Sequence, residues 1–157
     1  MAQPPAHEID DDALYRTTIT TDRGTIVMEL DPQLAPNTVN NFVSLARGGF
    51  YTGLTFHRVE PAFVIQGGCP EGTGTGGPGY KFADEPVQGE YRAGAVAMAN
   101  AGPDTNGSQF FVCIDDCQRK LAKSYNLFGY VVEGLDVAQG TKVGDVMRSV
   151  EVEEHAR

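Results

Sequence analysis

The stretch FHRVEPAFVIQGG, residues 56–68, places one arginine, Arg58, shortly before an apolar run, residues 63–65, that ends at Gln66 and two glycines. A guanidinium stays charged in proteins and presents five N–H donors in a rigid fork. We expect no carboxylate near Arg58 in sequence to pair with it. A permanent charge beside so much apolar surface therefore needs another explanation.

A second dense stretch, AMANAGPDTNGSQFFVC, covers residues 97–113. Alternation along a strand sends Gln109 and Phe111 to one face. In the same way, FVIQ sends Val64 and Gln66 to a shared face. Each of two strands thus offers an amide beside an apolar side chain, although each stretch taken singly also fits a core strand with a glutamine at its edge.

Nucleophilic catalysis finds little support in the sequence. A Ser/His/Asp or Cys/His site would have to be built on His57, because His7 and His155 lie near the two ends of the chain. No Gly-x-Ser-x-Gly turn presents a serine. We expect His57 to be a strand histidine satisfied by a hydrogen bond, and we disfavour hydrolase chemistry.

Neither a metal nor a cofactor is expected. Cys113 and Cys117 are four residues apart, but no histidine lies nearby to complete a metal site. The glycine-rich stretch over residues 67–82 lacks the Gly-Lys-Ser/Thr ending of a P-loop, and no helical pattern follows it as a dinucleotide site requires. We interpret it as a long surface loop.

The chain of 157 residues carries a formal net charge of −9, and its lysines and arginines are scattered, which argues against nucleic acid as a partner. No apolar run reaches the roughly 18 residues of a membrane helix. Residues 1–16 indicate an acidic, flexible tail rather than a secretory signal, and residues 17–157 a single domain. Three cysteines without a CxxC pair favour a reducing compartment, and no feature indicates oligomerisation, so we expect a cytoplasmic monomer.

The elements that must position these residues are mostly strands. GTIVMEL places Ile26, Met28 and Leu30 on one face, and the preceding TTITTDRG can turn at Asp-Arg-Gly, which predicts a hairpin. A helix is indicated over residues 35–49, with a proline in its first turn, and a shorter one over residues 135–140. Six further β-rich runs cover residues 55–59, 63–67, 94–99, 109–114, 127–132 and 147–152. About eight strands with few helices favour a closed β-barrel capped by helix, because closure removes exposed edges.

Taken together, FHRVEPAFVIQGG and MANAGPDTNGSQFF, with GTGTGGPGYKFADE between them and LFGYVVEGLDV after them, resemble the cyclophilin family of peptidyl-prolyl cis-trans isomerases. The resemblance runs from about Thr17 to Val152 in matching order. It implies a mainly β fold, a closed eight-stranded antiparallel β-barrel capped by two α-helices. It also implies an enzyme that accelerates rotation about X-Pro bonds and assists protein folding without a cofactor.

The resemblance further implies a site on the outer face of the barrel, where an apolar pocket receives the proline ring. Arg58, Gln66 and Phe111 match the catalytic positions. The implied substrate-binding residues form the pocket walls, the peptide groove and the rim: Phe63, Val64 and Leu121; Ala99, Asn100, Ala101 and Gln109; His57 and Tyr125. The implied partners are proline-containing peptides and unfolded protein clients.

This implied chemistry explains the arginine. Rotation about an X-Pro bond passes through a twisted amide that has lost its resonance, so the prolyl nitrogen regains a lone pair. A guanidinium fixed nearby donates to that nitrogen only in the twisted state, which stabilises the transition state selectively.

One departure from the family pattern bears on ligands. Many cyclophilins carry a tryptophan at the pocket edge that hydrogen-bonds cyclosporin, whereas this chain has no tryptophan and Lys120 takes that place. We therefore expect cyclosporin to bind with weakened affinity. The alternative function is a proline-peptide-binding module or holdase chaperone with weak catalysis, which a substituted Arg58 position would have favoured.

Overall fold

The structure, a computed structural model, describes residues 3–157. Its elements in chain order are β1 (Ala13–Thr21), β2 (Gly24–Leu30), α1 (Pro36–Arg47), β3 (Phe56–Glu60), β4 (Val64–Gly67), β5 (Ala95–Met98), β6 (Phe110–Cys113), β7 (Leu127–Glu133), α2 (Leu135–Gln139) and β8 (Ser149–Ala156). Within the described part of the chain, neither helix has the length and apolar character needed to cross a membrane.

The eight strands form one antiparallel sheet in the order β3-β4-β6-β5-β7-β2-β1-β8. The sheet curls until its two edges meet. At this seam, Phe56 N donates to Asp145 O at 2.9 Å and Met147 N donates to Leu54 O at 2.8 Å. The predicted eight-stranded antiparallel fold is confirmed, with a seam made of one isolated bridge, Thr55 opposite Val146, just before β8 rather than of a full strand ladder.

The first hairpin forms where the sequence predicts it. β1 and β2 pair from Thr21 opposite Gly24 back to Tyr15 opposite Leu30. Gly24 has a φ of 136°, a conformation that side chains disfavour and glycine tolerates. Ile26 and Leu30 are fully buried on the inner face, as the alternation predicts.

Both predicted helices are present. α1 begins with Pro36 in its first turn, and the Glu85 carboxylate accepts hydrogen bonds from the backbone N–H groups of Asn37 at 3.0 Å and Thr38 at 2.8 Å. A carboxylate at this helix end satisfies free donors and complements the helix dipole. The helix packs its apolar face, including Phe42, into the barrel end near β7 and β8.

The apolar residues separate into two clusters. The inner cluster fills the barrel and includes Ile65 and Phe110. The outer cluster contains Val64, Tyr91, Ala95, Ala97, Phe111, Cys113, Cys117 and Leu127, with Phe63, Leu121 and Tyr125 among the residues packed against it. Strand alternation produces this division, because consecutive residues of β4 and β6 point to opposite faces. The outer cluster places an apolar surface beside Arg58.

The N-terminal segment packs on α1. Glu8 N donates to Asn40 Oδ1 at 2.8 Å, and Asn40 Nδ2 donates to Ala6 O at 3.0 Å. β1 begins at Ala13, so the boundary expected at residue 17 falls inside this strand. Residues 1–2 of the predicted tail lie outside the described residues.

Candidate active site

Three neighbouring strands bring the predicted catalytic residues into one row. The register places Arg58 of β3 opposite Gln66 of β4, and Gln66 opposite Phe111 of β6. Residues directly opposite one another in antiparallel strands have β-carbons about 4.5–5.5 Å apart. The row therefore sets a cation, an amide and an aromatic ring side by side on the outer face.

A directional chain of side-chain hydrogen bonds runs along this row. Arg58 Nη1 donates to Gln66 Oε1 at 3.3 Å, and Gln66 Nε2 donates to Gln109 Oε1 at 3.1 Å. Gln109 Nε2 then donates to Gly76 O at 2.9 Å. Each amide uses its oxygen toward the arginine and its nitrogen away from it. The chain restrains the guanidinium and links it to the glycine-rich segment.

Glu60 is a partner of Arg58 that the sequence reasoning missed. Glu60 Oε1 lies 3.5 Å from Arg58 Nε, so the expectation of an arginine without a carboxylate nearby is wrong. Residues two apart on a strand share a face, and this period was the signal that could have found the pair. Both side chains are about half exposed, at 46% and 50%, and such pairs contribute about 0–1 kcal/mol. The guanidinium thus remains available to a ligand.

The five residues predicted for the pocket walls and the aromatic rim all belong to the outer cluster or pack against it: Phe63, Val64, Phe111, Leu121 and Tyr125. The Phe111 and Tyr125 rings meet edge to face, with centroids 5.5 Å apart. The Arg58 guanidinium carbon lies 6.0 Å from the Phe63 ring centroid. This patch is an apolar recess with the cation at its edge.

Lys120 borders the same recess. Its Nζ donates to Ala62 O at 2.6 Å and lies 5.9 Å from the Phe63 ring centroid. Phe63 therefore has two cations near its ring, Arg58 and Lys120. The Lys120 bond also ties the turn between β3 and β4 to the segment that carries Leu121.

A cavity of about 690 Å³, which we name the side pocket, adjoins the row. Its lining includes all the residues predicted for the peptide groove: Gln66, Ala99, Asn100, Ala101 and Gln109. Residues 74–81 of the glycine-rich segment form the opposite wall. The sequence reasoning treated this segment as a surface loop and did not identify it as part of the site.

His57 lies against the glycine-rich segment. Its Nε2 is 3.5 Å from the point that a β-carbon on Gly74 would occupy. Its Nδ1 is buried without a hydrogen-bond partner, so the expected bond is not formed at this nitrogen. Burial, and secondarily the charge of Arg58, lower the pKa of His57 below its ordinary value of 6.5. The imidazole is therefore neutral at pH 7.

The three cysteines are free and buried. Cys117 Sγ lies within hydrogen-bonding distance of Phe63 O, at 3.4 Å, and burial raises the pKa of both the Cys113 and the Cys117 thiol. No group of three or more histidine, cysteine, aspartate or glutamate side chains in residues 3–157 is arranged to hold a metal ion.

Comparisons with known proteins agree with this geometry. The family model for cyclophilin type peptidyl-prolyl cis-trans isomerases matches residues 16–156. Peptidyl-prolyl cis-trans isomerase B of Bacillus subtilis is 53% identical over 134 residues, covering 84% of this chain and 93% of the relative. A peptidyl-prolyl cis-trans isomerase of Helicobacter pylori is 46% identical over 151 residues, covering 92% of each chain.

A solved structure shares the fold. The cyclophilin type isomerase of Cryptosporidium parvum, crystallised in the presence of the dipeptide Ala-Pro, superposes with a TM-score of 0.81 at 31% identity. The match covers 89% of this chain and 99% of that one. The chain therefore belongs to the cyclophilin family and is a peptidyl-prolyl cis-trans isomerase.

Proposed function

We propose that Arg58, Gln66 and Phe111 form the catalytic centre of this isomerase. The observation that carries the proposal is the Arg58 guanidinium held at the edge of an apolar recess by Gln66, with a distance of 3.3 Å between Nη1 and Oε1. The proline ring of a substrate occupies the recess, against Phe63 and Phe111. Arg58 then donates to the prolyl nitrogen when the amide is twisted.

Arg58 is an effective donor because its hydrogen bond to the prolyl nitrogen strengthens as the amide twists. In the planar amide, the nitrogen lone pair is delocalised into the carbonyl and is a poor acceptor. Twisting localises the lone pair, so the hydrogen bond from Arg58 strengthens toward the transition state and lowers the barrier. Gln66 contributes as a positioning residue, because it holds the guanidinium before the substrate arrives.

The barrier lowering that the reaction requires is small enough for a site with so few functional groups. Uncatalysed isomerisation takes about 10 to 100 s, and turnover near 10³ s⁻¹ requires about 5.5 to 7 kcal/mol of barrier lowering. A preorganised donor supplies about 3 to 4 kcal/mol. Removal of water from the amide in the apolar recess contributes the remainder.

The peptide on one side of the proline follows the side pocket, along Ala99, Asn100 and Ala101. Asn100 is held there by its own contacts, since its Nδ2 donates to Ser124 O at 2.9 Å and its Oδ1 accepts from Gly102 N at 3.2 Å. Contacts of this kind with the peptide backbone leave sequence preference beyond proline broad. We therefore propose unfolded or flexible protein segments as the clients.

Further proposals concern the compartment in which the protein acts, its oligomeric state and its binding of cyclosporin. We propose that the protein acts in the cytoplasm, a reducing compartment with which its three free cysteines agree, and that it acts as a monomer. We propose weakened cyclosporin binding, because Lys120 at the edge of the recess offers no indole N–H. A substituted Arg58 position would have favoured the binding-module alternative, but this position is an arginine, so no second function is proposed.

Titration of an Ala-Pro peptide into the isotope-labelled protein, followed by NMR, tests the location of the site. We expect chemical-shift changes at Arg58, Gln66, Phe111 and Asn100, and exchange between the cis and trans peptide signals in the same sample. Shift changes confined to β1 and β2, which lie across the barrel from β4 and β6, would overturn the proposed site.

A further inference from the structure

We propose that Asn41 of α1 is a positioning residue that sets the width of the side pocket and thereby the isomerase's selection of the substrate residue that enters it. The inference rests on the proposed function, because it assumes that the peptide lies along the side pocket. Asn41 is not in the row of Arg58, Gln66 and Phe111. It does not line the side pocket itself but hydrogen-bonds residues that do.

Asn41 joins the two walls through one buried amide. The side chain is only 2% exposed. Its Nδ2 donates to Gly107 O at 2.8 Å, and its Oδ1 accepts a hydrogen bond from the Tyr80 hydroxyl. Gly107 and Tyr80 both line the side pocket, Tyr80 from the glycine-rich segment and Gly107 from the segment that follows residues 99–101. A helix residue thus fixes both walls at once.

The walls touch where this amide holds them. A β-carbon on Gly107 would lie 3.1 Å from Pro78 Cδ and 3.7 Å from Tyr80 O, so the two segments are in close contact there. Beside this point, Phe82 N donates to Asn106 O at 2.9 Å. The two segments are therefore joined at this part of the pocket lining.

At the end nearer the row, a second amide joins the same walls, because Gln109 Nε2 donates to Gly76 O at 2.9 Å. The glycine-rich wall between the two amides has few side chains of its own to hold it in place. The distance between this wall and residues 99–101 therefore depends on the hydrogen bonds of Asn41 and Gln109, together with the bond from Phe82 N to Asn106 O. Loss of the Asn41 bonds should widen the pocket without moving Arg58.

Asn40 provides a matched control. It neighbours Asn41 on α1, is 4% exposed and also makes two hydrogen bonds through its amide. These bonds go to Ala6 and Glu8 of the N-terminal segment and not to the pocket walls. Asn40→Ala and Asn41→Ala thus remove equivalent buried amides with different neighbours.

The experiment compares a blocked Ala-Pro core peptide with longer peptides in which a single leucine is moved through the second and third positions on each side of the dipeptide. The core is too short to fill the side pocket and reports on the row alone. Cis-trans exchange measured by NMR gives kcat and KM for each peptide. The leucine position that most improves kcat/KM in the unmodified protein identifies the residue that enters the side pocket.

For Asn41→Ala, we expect KM for that peptide to rise about tenfold while kcat stays within about twofold, as for a lost uniform binding interaction. The kcat and KM of Asn41→Ala for the core peptide should equal those of the unmodified protein. Asn40→Ala should retain the preference for leucine. Tyr80→Phe, which removes only the hydroxyl, should weaken the preference in the same direction and serves if Asn41→Ala does not fold.

Three results would overturn the inference: no leucine position that improves kcat/KM, equal losses on core and long peptides in Asn41→Ala, or the same loss of preference in Asn40→Ala. Failure of the proposed function looks different. In that case, turnover of the core peptide would be unchanged by Arg58→Ala.

Discussion

Gln66 accepts a hydrogen bond from Arg58 at 3.3 Å with its amide oxygen and donates from its amide nitrogen to Gln109 at 3.1 Å. The second bond fixes which end of the amide faces the guanidinium. A flipped amide would present N–H to N–H, and both hydrogen bonds would be lost. Arg58 is thereby aimed before a substrate binds, although its own side chain is 46% exposed.

Gln66→Ala removes this restraint and leaves the arginine in place. We expect kcat on an Ala-Pro peptide to fall about tenfold, because the guanidinium must then be oriented during the reaction, a cost of about 1.4 kcal/mol. KM should change by less than about threefold. Gln118→Ala, in an exposed loop, is the control and should keep full activity. An unchanged kcat in Gln66→Ala would contradict this role.

Glu60→Gln should raise kcat/KM by about two- to fivefold at low salt. The carboxylate lies 3.5 Å from Arg58 Nε and competes with a bound amide for the guanidinium. Since an exposed ion pair is worth about 0–1 kcal/mol and is screened by salt, the gain should shrink as ionic strength rises. A lower kcat/KM in Glu60→Gln would instead assign the carboxylate a supporting role.

His57 predicts a pH dependence of stability. Because burial and Arg58 lower the pKa of His57 in the folded protein, the unfolded chain binds more protons as the pH falls below 6.5. The free energy of unfolding should therefore decrease from pH 6.5 down through the folded-state pKa. Urea unfolding measures this free energy at pH 7.5 and pH 5.5, about one unit on either side of 6.5. The decrease between the two pH values should be larger for the natural chain than for His57→Gln. Equal losses would be inconsistent with a depressed pKa.

The cysteines should differ in reactivity toward iodoacetamide. Burial alone would raise the pKa of Cys69, but backbone N–H groups around its sulfur, with Gly76 N at 3.3 Å, more than offset this and lower it. Burial raises the pKa of Cys113 and Cys117. Because the thiolate is the reactive form, Cys69 should be alkylated first, as peptide mapping by mass spectrometry can show. Modification of Cys113 or Cys117 at a similar rate would contradict this order.

Much of the fold was predictable because local pattern and tertiary environment agree. In β4 and β6, alternation assigns Val64 and Phe111 to one face and Ile65 and Phe110 to the other, and the two clusters follow this division. The residues at which strands begin and end were less predictable. β1 begins at Ala13, directly after an acidic run, because Tyr15 pairs with Leu30 and with Glu154, which lie far away in sequence.

The sequence allows the residues of the candidate site to be proposed, but it does not predict the hydrogen bonds between them. The motifs that resemble the cyclophilin family contain Arg58, Gln66 and Gln109, yet the hydrogen-bond chain through them depends on strand register. The contacts of Asn41 could not be predicted from the sequence for the same reason. On the sequence, it is one polar position of an amphipathic helix, and only the packing of α1 brings it to Gly107 and Tyr80.

In the proposed mechanism, Arg58 stabilises the twisted amide and not the bound ground state. NMR exchange and titration on one Ala-Pro peptide, with the natural chain and Arg58→Ala matched for folding by circular dichroism, measure kcat and Kd together. We expect kcat to fall by about two orders of magnitude, or about 2.7 kcal/mol, while Kd changes by less than about threefold. A loss that appears wholly in Kd, with kcat retained, would make Arg58 a recognition residue and contradict the mechanism.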